Sequence, residues 1–171
     1  MTQKIFRKYL EINNLKDLNE SKKPSDNYLL KLNSTKDFQL NKFFYKQVGK
    51  KYEWVDRLKW TDQNWIDYIS NKKILTFVLK NNIDLIGYFE LIFYEDKKET
   101  EIAYFGILEE YFGKRLGGFL LGEAVKKSFS LGAKRVCVHT CSLDHQNALK
   151  NYLSRGMNIF KSEILKREKL I

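Results

Sequence analysis

The stretch that most restricts what this chain can fold into is EIAYFGILEEYFGKRLGGFLLGEAVKKSFSLGAKR, from Glu101 to Arg135. Ile102 to Leu108 reads as an apolar strand, and a short turn bearing Gly113, Gly117 and Gly118 follows it. An amphipathic helix then runs to Gly132, and a second apolar strand covers Val136 to Thr140. The unit is β-loop-α-β, a crossover that is almost always right-handed when it joins parallel strands. Glycines between a strand and a helix N-terminus let the backbone approach an anion closely. The first free N–H groups and the helix dipole then face that anion. The turn is therefore a candidate phosphate cradle.

The rest of the chain reads as cover for this unit. Its 171 residues, 43% of them hydrophobic, are enough to bury a core and predict one domain over residues 1–171. No apolar run approaches the ~18 residues of a membrane span. The opening MTQKIFRKYL lacks the continuous apolar region of a secretory signal, so a soluble cytoplasmic protein is expected, with no membrane partner. Cys137 and Cys141 on one strand would stand roughly 13 Å apart, too far for a disulfide, which fits a reducing compartment. The net charge of +10 is spread along the whole length rather than massed in one arm, so nucleic acid is not expected as a partner.

Residues 4–12 and 28–32 read as short strands. From Thr35 the pattern turns helical, with Phe38, Leu40, Phe43, Phe44 and Val48 at three- and four-residue spacing and Gly49 at the end. Thr61 is a good N-cap for a second helix. Residues 74–79 and 84–94 form a predicted hairpin through Asn81 and Asn82. Ser142 or Asp144 is the expected cap of a late helix running to Arg155 with Gly156 after it, and NIFKSEILKREK is the last strand.

These elements and the words inside them resemble the GNAT superfamily of N-acetyltransferases. The superfamily's acetyl-CoA motif, Gln/Arg-x-x-Gly-x-Gly/Ala, falls on Phe112-Gly113-Lys114-Arg115-Leu116-Gly117. Gly117 keeps it, Phe112 and Arg115 depart from it, and Gly118 and the apolar residues beyond it look familiar. The late-helix pattern Asn-x-x-Ala-x-x-x-Tyr-x-x-x-Gly-Phe is met by His145, Asn147, Ala148, Tyr152, Gly156 and Met157, with His for the leading Asn and Met for the trailing Phe. Glu101 stands where several members carry a general base. HTCSLDH and the upstream WVDR are similar to a bacterial subgroup of these enzymes.

The resemblance implies an α/β fold: a mixed, mostly antiparallel sheet of about seven strands, a central β-α-β crossover and helices on both faces. It implies direct transfer of acetyl from acetyl-CoA to a primary amine, without a metal, and leaves room for a homodimer. Glu101 would take the amine's proton, since a protonated amine of pKa about 10.4 is no nucleophile. Main-chain groups of Phe105, Gly106 and Ile107, on a strand that splays from its neighbour, would hold the oxyanion and the pantetheine amides. Phe112 to Gly118 would cradle the pyrophosphate, with His145, Asn147 and Tyr152 completing the coenzyme site. Tyr152 would protonate the leaving thiolate.

Alternatives remain at this point. Cys137, His139 and Cys141 alternate on one face, so a Cys141 nucleophile with a His139 base would give a ping-pong acyl-enzyme, against the ordinary reading of small cysteines buried in a core strand. Zinc on Cys137, His139, Cys141 and His145 is disfavoured, because alternate positions on one strand do not converge on one ion. Tyr52, Trp54, Asp56, Arg57, Trp60 and Trp65 read either as acceptor-site lining or as plugs between helix and sheet. A catalytically inactive coenzyme A-binding module is the alternative function, motivated by Phe112 and Arg115, and a basic RNA-associated protein is a third. Arg115 is expected to avoid φ > 0, where a β-carbon is penalised, and to grip a coenzyme A phosphate together with Lys114.

Overall fold

Alternation of apolar and polar residues in seven segments places one face of each against a helix layer, and the segments pair into a single sheet. The computed structural model describes residues 2–168. Met1 lies outside them, as does Lys169 at the end of the expected last strand. The elements are β1 (Thr2–Ile12), β2 (Tyr28–Leu32), α1 (Phe38–Gly49), α2 (Asp62–Ser70), β3 (Ile74–Asn81), β4 (Asp84–Tyr94), β5 (Glu99–Ile107), α3 (Leu116–Ser130), β6 (Arg135–Cys141), α4 (Ala148–Ser154) and β7 (Asn158–Glu168). The strand order is β2-β3-β4-β5-β6-β1-β7. All neighbours are antiparallel except β5 and β6, which the α3 crossover makes parallel.

Each helix starts where a side chain satisfies its first free N–H groups. Asp37 accepts from the Gln39 N–H, so α1 begins at Phe38 rather than at Thr35. Thr61 caps α2 as expected, in a reciprocal box with Asn64. In the hairpin turn, Asn82 takes the left-handed conformation (φ 55°) that asparagine tolerates better than most residues. The late helix differs from expectation. Asp144 accepts from the Cys141 N–H and the Thr140 hydroxyl, bracing the turn after β6, and α4 starts only at Ala148.

The sheet buries both faces. On one, α3 sets Leu116, Leu120, Leu121, Ala124 and Val125 against Leu10, Leu79, Phe89, Leu91, Ile102, Val136 and Val138, with Tyr152 of α4 at the edge. On the other, Phe44 and Val48 of α1 pack on Val78, Tyr88 and Leu108. At roughly 1.5–3 kcal/mol per fully buried large apolar side chain, these two layers fix the sheet between the helices.

Two irregularities in the middle of the sheet prepare a site. Strand β5 pairs with β6 only through Glu99, Thr100 and Glu101, opposite Arg135, Val136 and Cys137. Beyond Cys137, β6 stays with β1 as far as Cys141, while β5 stays with β4 as far as Ile107, so the parallel strands part. The parting coincides with a β-bulge. Leu91 faces Ile102 and Glu90 faces Tyr104, leaving Ala103 without a partner on β4. A bulge adds local twist and bends its strand, which turns β5 away from β6.

Candidate active site

The gap between the parted strands opens into a cavity of 1160 Å³ whose walls come from both sides of the sheet. On the α3 side the lining includes Gly113, Arg115, Leu116, Gly117 and Gly118, with His145, Asn147 and Tyr152 from the late-helix region. Phe105, Gly106 and Ile107 run through the middle, and Glu101 lines the side of α1 and α2. Of the residues expected at the site, Lys114 alone does not line the cavity. Its ammonium lies 5.2 Å from the centre of the Tyr111 ring, so the expected pairing of Lys114 with Arg115 on one phosphate does not occur in this conformation.

The α3 N-terminus carries the properties of an anion site. The helix has no side-chain cap, which leaves its first N–H groups directed at the cavity. Gly113 has φ +77°, open to glycine at no cost. Arg115 corrects the expectation made for it: it occupies the left-handed region at φ 61°, ψ 19°. The turn demands positive φ there, and the chain supplies an arginine despite a penalty of roughly 1–2 kcal/mol. Gly106 is fixed by a different constraint, since a β-carbon would stand 2.2 Å from Val48 Cγ1 of α1.

The two residues that depart most from the coenzyme motifs touch each other. Phe112 meets the His145 ring edge-on, with centroids 5.3 Å apart, and His145 in turn meets Tyr52 at 6.0 Å. His145 Nδ1 also accepts the Asn147 N–H, work a leading asparagine could do with its side-chain carbonyl. Asn151 ties α4 to α3 by donating to the Gly117 carbonyl at 3.2 Å.

Tyr152 is 7% exposed and lies 6.5 Å, centroid to centroid, from Phe105. Burial, reinforced by the charge of Asp144, holds its hydroxyl well above the usual tyrosine range, so the phenol is neutral at any physiological pH. Glu101 lines both this cavity and a smaller one of 230 Å³ bounded by Tyr9, Tyr94, Thr100, Cys137 and His139. The Tyr94 hydroxyl is its nearest hydrogen-bonding neighbour, at 3.5 Å.

Cys137, His139 and Cys141 do share one face, but both cysteines are half-buried rather than buried, because Val136, Val138 and Thr140 take the core side of β6. Burial pushes the Cys137 thiol up to about 11 and raises Cys141 as well, while burial and then Arg7 lower His139. Each shift opposes a thiolate-imidazolium pair. Among the described residues, no group of three or more His, Cys, Asp or Glu could hold a metal ion. No helix among them is long and apolar enough to cross a membrane.

The aromatic-basic segment divides between its two readings. Tyr52, Trp54 and Asp56 line the cavity, whereas Trp65 is 1% exposed and structural. Arg57 is a hub. Its Nη1 donates to both Glu90 oxygens, at 3.1 and 3.0 Å, and five aromatic rings surround the guanidinium, those of Tyr68 and Tyr104 at 4.1 and 4.2 Å. Glu90 also accepts from Asn41 at 2.7 Å and from the Tyr68 hydroxyl at 3.1 Å. Sequence reasoning passed over Glu90, although one carboxylate inside LIGYFELIFY is a signal, since a charge in a buried strand needs a partner. It also passed over the bulge at Ala103, which no residue type announces.

A sheet opened between two parallel strands, over an uncapped helix N-terminus, is the architecture of the GNAT fold. A family model described as the Acetyltransferase (GNAT) family matches residues 37–157, and the chain belongs to that family, whose members use acetyl-CoA as a substrate. Solved structures agree on the fold. A GCN5-related N-acetyltransferase from Sphaerobacter thermophilus superposes with a TM-score of 0.72 at 14% identity, over 95% of this chain and 51% of that one. A GCN5-related N-acetyltransferase from Kribbella flavida gives 0.66 at 14% identity, over 94% and 56%. An aminoglycoside acetyltransferase from an uncultured soil metagenomic sample gives 0.64 at 12% identity, over 78% and 90%. The chain thus spans little more than half the length of the first two. No curated protein matches it.

Proposed function

We propose that this protein transfers the acetyl group of acetyl-CoA to a primary amine by direct attack. The observation that carries the reading is the single cavity joining the open α3 N-terminus to the unpaired edge of β5 and to Tyr152. The Gly113–Gly118 turn and the α3 N–H groups would receive the pyrophosphate, and the free edge of β5 at Phe105, Gly106 and Ile107 would take the pantetheine amides and the carbonyl oxygen. The amine would enter from the α1 and α2 side, where Glu101 takes its proton. The nitrogen then forms a bond to the thioester carbon, and the carbon–sulfur bond breaks. Tyr152 faces the departing sulfur. Its raised pKa makes full proton transfer to a thiol of ordinary pKa near 8.5 uphill, so its hydrogen bond stabilises the thiolate, which takes its proton on release. The shifts on Cys141 and His139 support direct transfer over a ping-pong route.

Two measurements test the reading. Coenzyme A should raise the melting temperature of EDTA-treated protein, because a ligand of the folded state stabilises it by mass action. Tyr152→Phe should lower kcat by about 10²-fold and leave acetyl-CoA affinity nearly intact. No thermal shift at saturating coenzyme, or a labelled acetyl group trapped on Cys141, refutes it. If coenzyme binds and no member of a broad amine panel is acetylated, the inactive binding module takes its place.

A further inference from the structure

On the acceptor side of the cavity one cation stands without a counter-ion. Arg7 of β1 lines the cavity, yet among the described residues no carboxylate lies within 4 Å of its guanidinium. Its Nε is buried and donates to nothing, and its one polar contact is Nη1 to the Tyr9 hydroxyl at 3.5 Å. The charges around it are already engaged. Glu163 accepts from Tyr9 and pairs with Lys161, Arg167 pairs with Glu53, and Arg57 pairs with Glu90. A buried guanidinium donor without an acceptor is costly, and such groups in a cavity commonly face a ligand.

Arg7 shares its face with Glu101. Arg7 is opposite Cys141 and Glu101 is opposite Cys137, and Cys137 and Cys141 lie on the same side of β6. Four residues along β6 and two strand spacings across put the Cα atoms about 16 Å apart, from about 13 Å along and about 10 Å across. The two long side chains close part of that distance. The remaining span is too wide for an ammonium and a carboxylate on one carbon, and suits two groups joined by a flexible chain of several atoms.

We infer that the acceptor is an amine carrying an anionic group at the far end of such a chain, with Arg7 receiving the anion while Glu101 receives the amine. The inference rests on the acetyl-transfer reading for the role of Glu101, but the contact to Arg7 is a binding property and is measurable without turnover. Coenzyme A-loaded protein is titrated calorimetrically with ε-aminocaproate, with its neutral amide ε-aminocaproamide, and with glycine. The acid should bind about tenfold or more tightly than the amide, equivalent to about 1.4 kcal/mol, and more tightly than glycine. In Arg7→Gln the acid-to-amide ratio should fall to near one. Equal binding of acid and amide by the wild type overturns the inference, as does no binding of the acid, glycine binding as well as the acid, or a ratio that survives in Arg7→Gln. Should that variant not fold, the wild-type comparison alone decides. If coenzyme A does not bind at all, the acetyl-transfer reading fails, and the same titration on the free protein still decides the case of Arg7.

Discussion

Replacing Arg57 with alanine exposes what the buried hub contributes. The Arg57 side chain is 7% exposed and that of Glu90 0%, so truncation leaves a carboxylate buried with only Asn41 and Tyr68 as donors. Burial acts to lower the pKa of Arg57, and Glu90 with the surrounding rings more than offsets it, so the guanidinium stays charged. Removing one partner of such a pair costs about 3–5 kcal/mol. For a chain of this length each kcal/mol moves Tm by about 2–4 °C, so Arg57→Ala should melt about 6–20 °C below the wild type. The double variant Arg57→Ala/Glu90→Gln removes the orphaned charge and should recover a substantial part of the loss. Thermal melts and urea titrations of the two variants and the parent suffice. A single variant within about 1 kcal/mol of wild type, or a double variant no more stable than the single, contradicts a tightly coupled buried pair.

Other substitutions and conditions separate neighbouring claims. Arg115→Gly relieves the left-handed strain and should stabilise the free protein by roughly 1 kcal/mol, while weakening coenzyme A binding through the lost guanidinium; paired melting and affinity measurements would show either half failing. Burial raises the pKa of Tyr68, Tyr88, Tyr104 and Tyr152 in the folded state. A raised folded value contributes stability that is complete below the unfolded pKa near 10 and is lost above it, so urea midpoints should hold up to about pH 10 and then fall, in step with tyrosinate absorbance. Cys141→Ala should leave acetyl transfer within about twofold of wild type, which a steady-state assay checks directly.

Much of this architecture was legible in the residues. Periodicity placed all four helices and the seven strands, and the glycine turn before an apolar helix marked the cavity wall at α3. What escaped depended on register and long-range pairing. Nothing local to TQKIFRKYLEI says that this strand lies between β6 and β7, nor that one residue of β5 bulges at Ala103. Arg115 was misjudged for a related reason, because side-chain preference was allowed to predict a dihedral that the loop closure dictates. Asp144 looked like a helix cap and serves the preceding turn, since its carboxylate reaches back to Cys141 and Thr140.

The insertion of β1 between β6 and β7 has a consequence for how the chain is made. Residues 2–12 leave the ribosome before every partner they have, which are residues 136–141 and 158–168. At about 5–20 residues per second, translation needs roughly 7–26 s to reach the later partners. Throughout that interval Ile5, Phe6, Leu10 and Ile12 have no sheet to join, which makes the nascent segment a natural client for a holding chaperone. Edge strand β7 is attached to the sheet through β1 alone. The earliest-made strand is therefore the one that locks the last, and the wall of the cavity that carries Arg7 closes only when synthesis is nearly over.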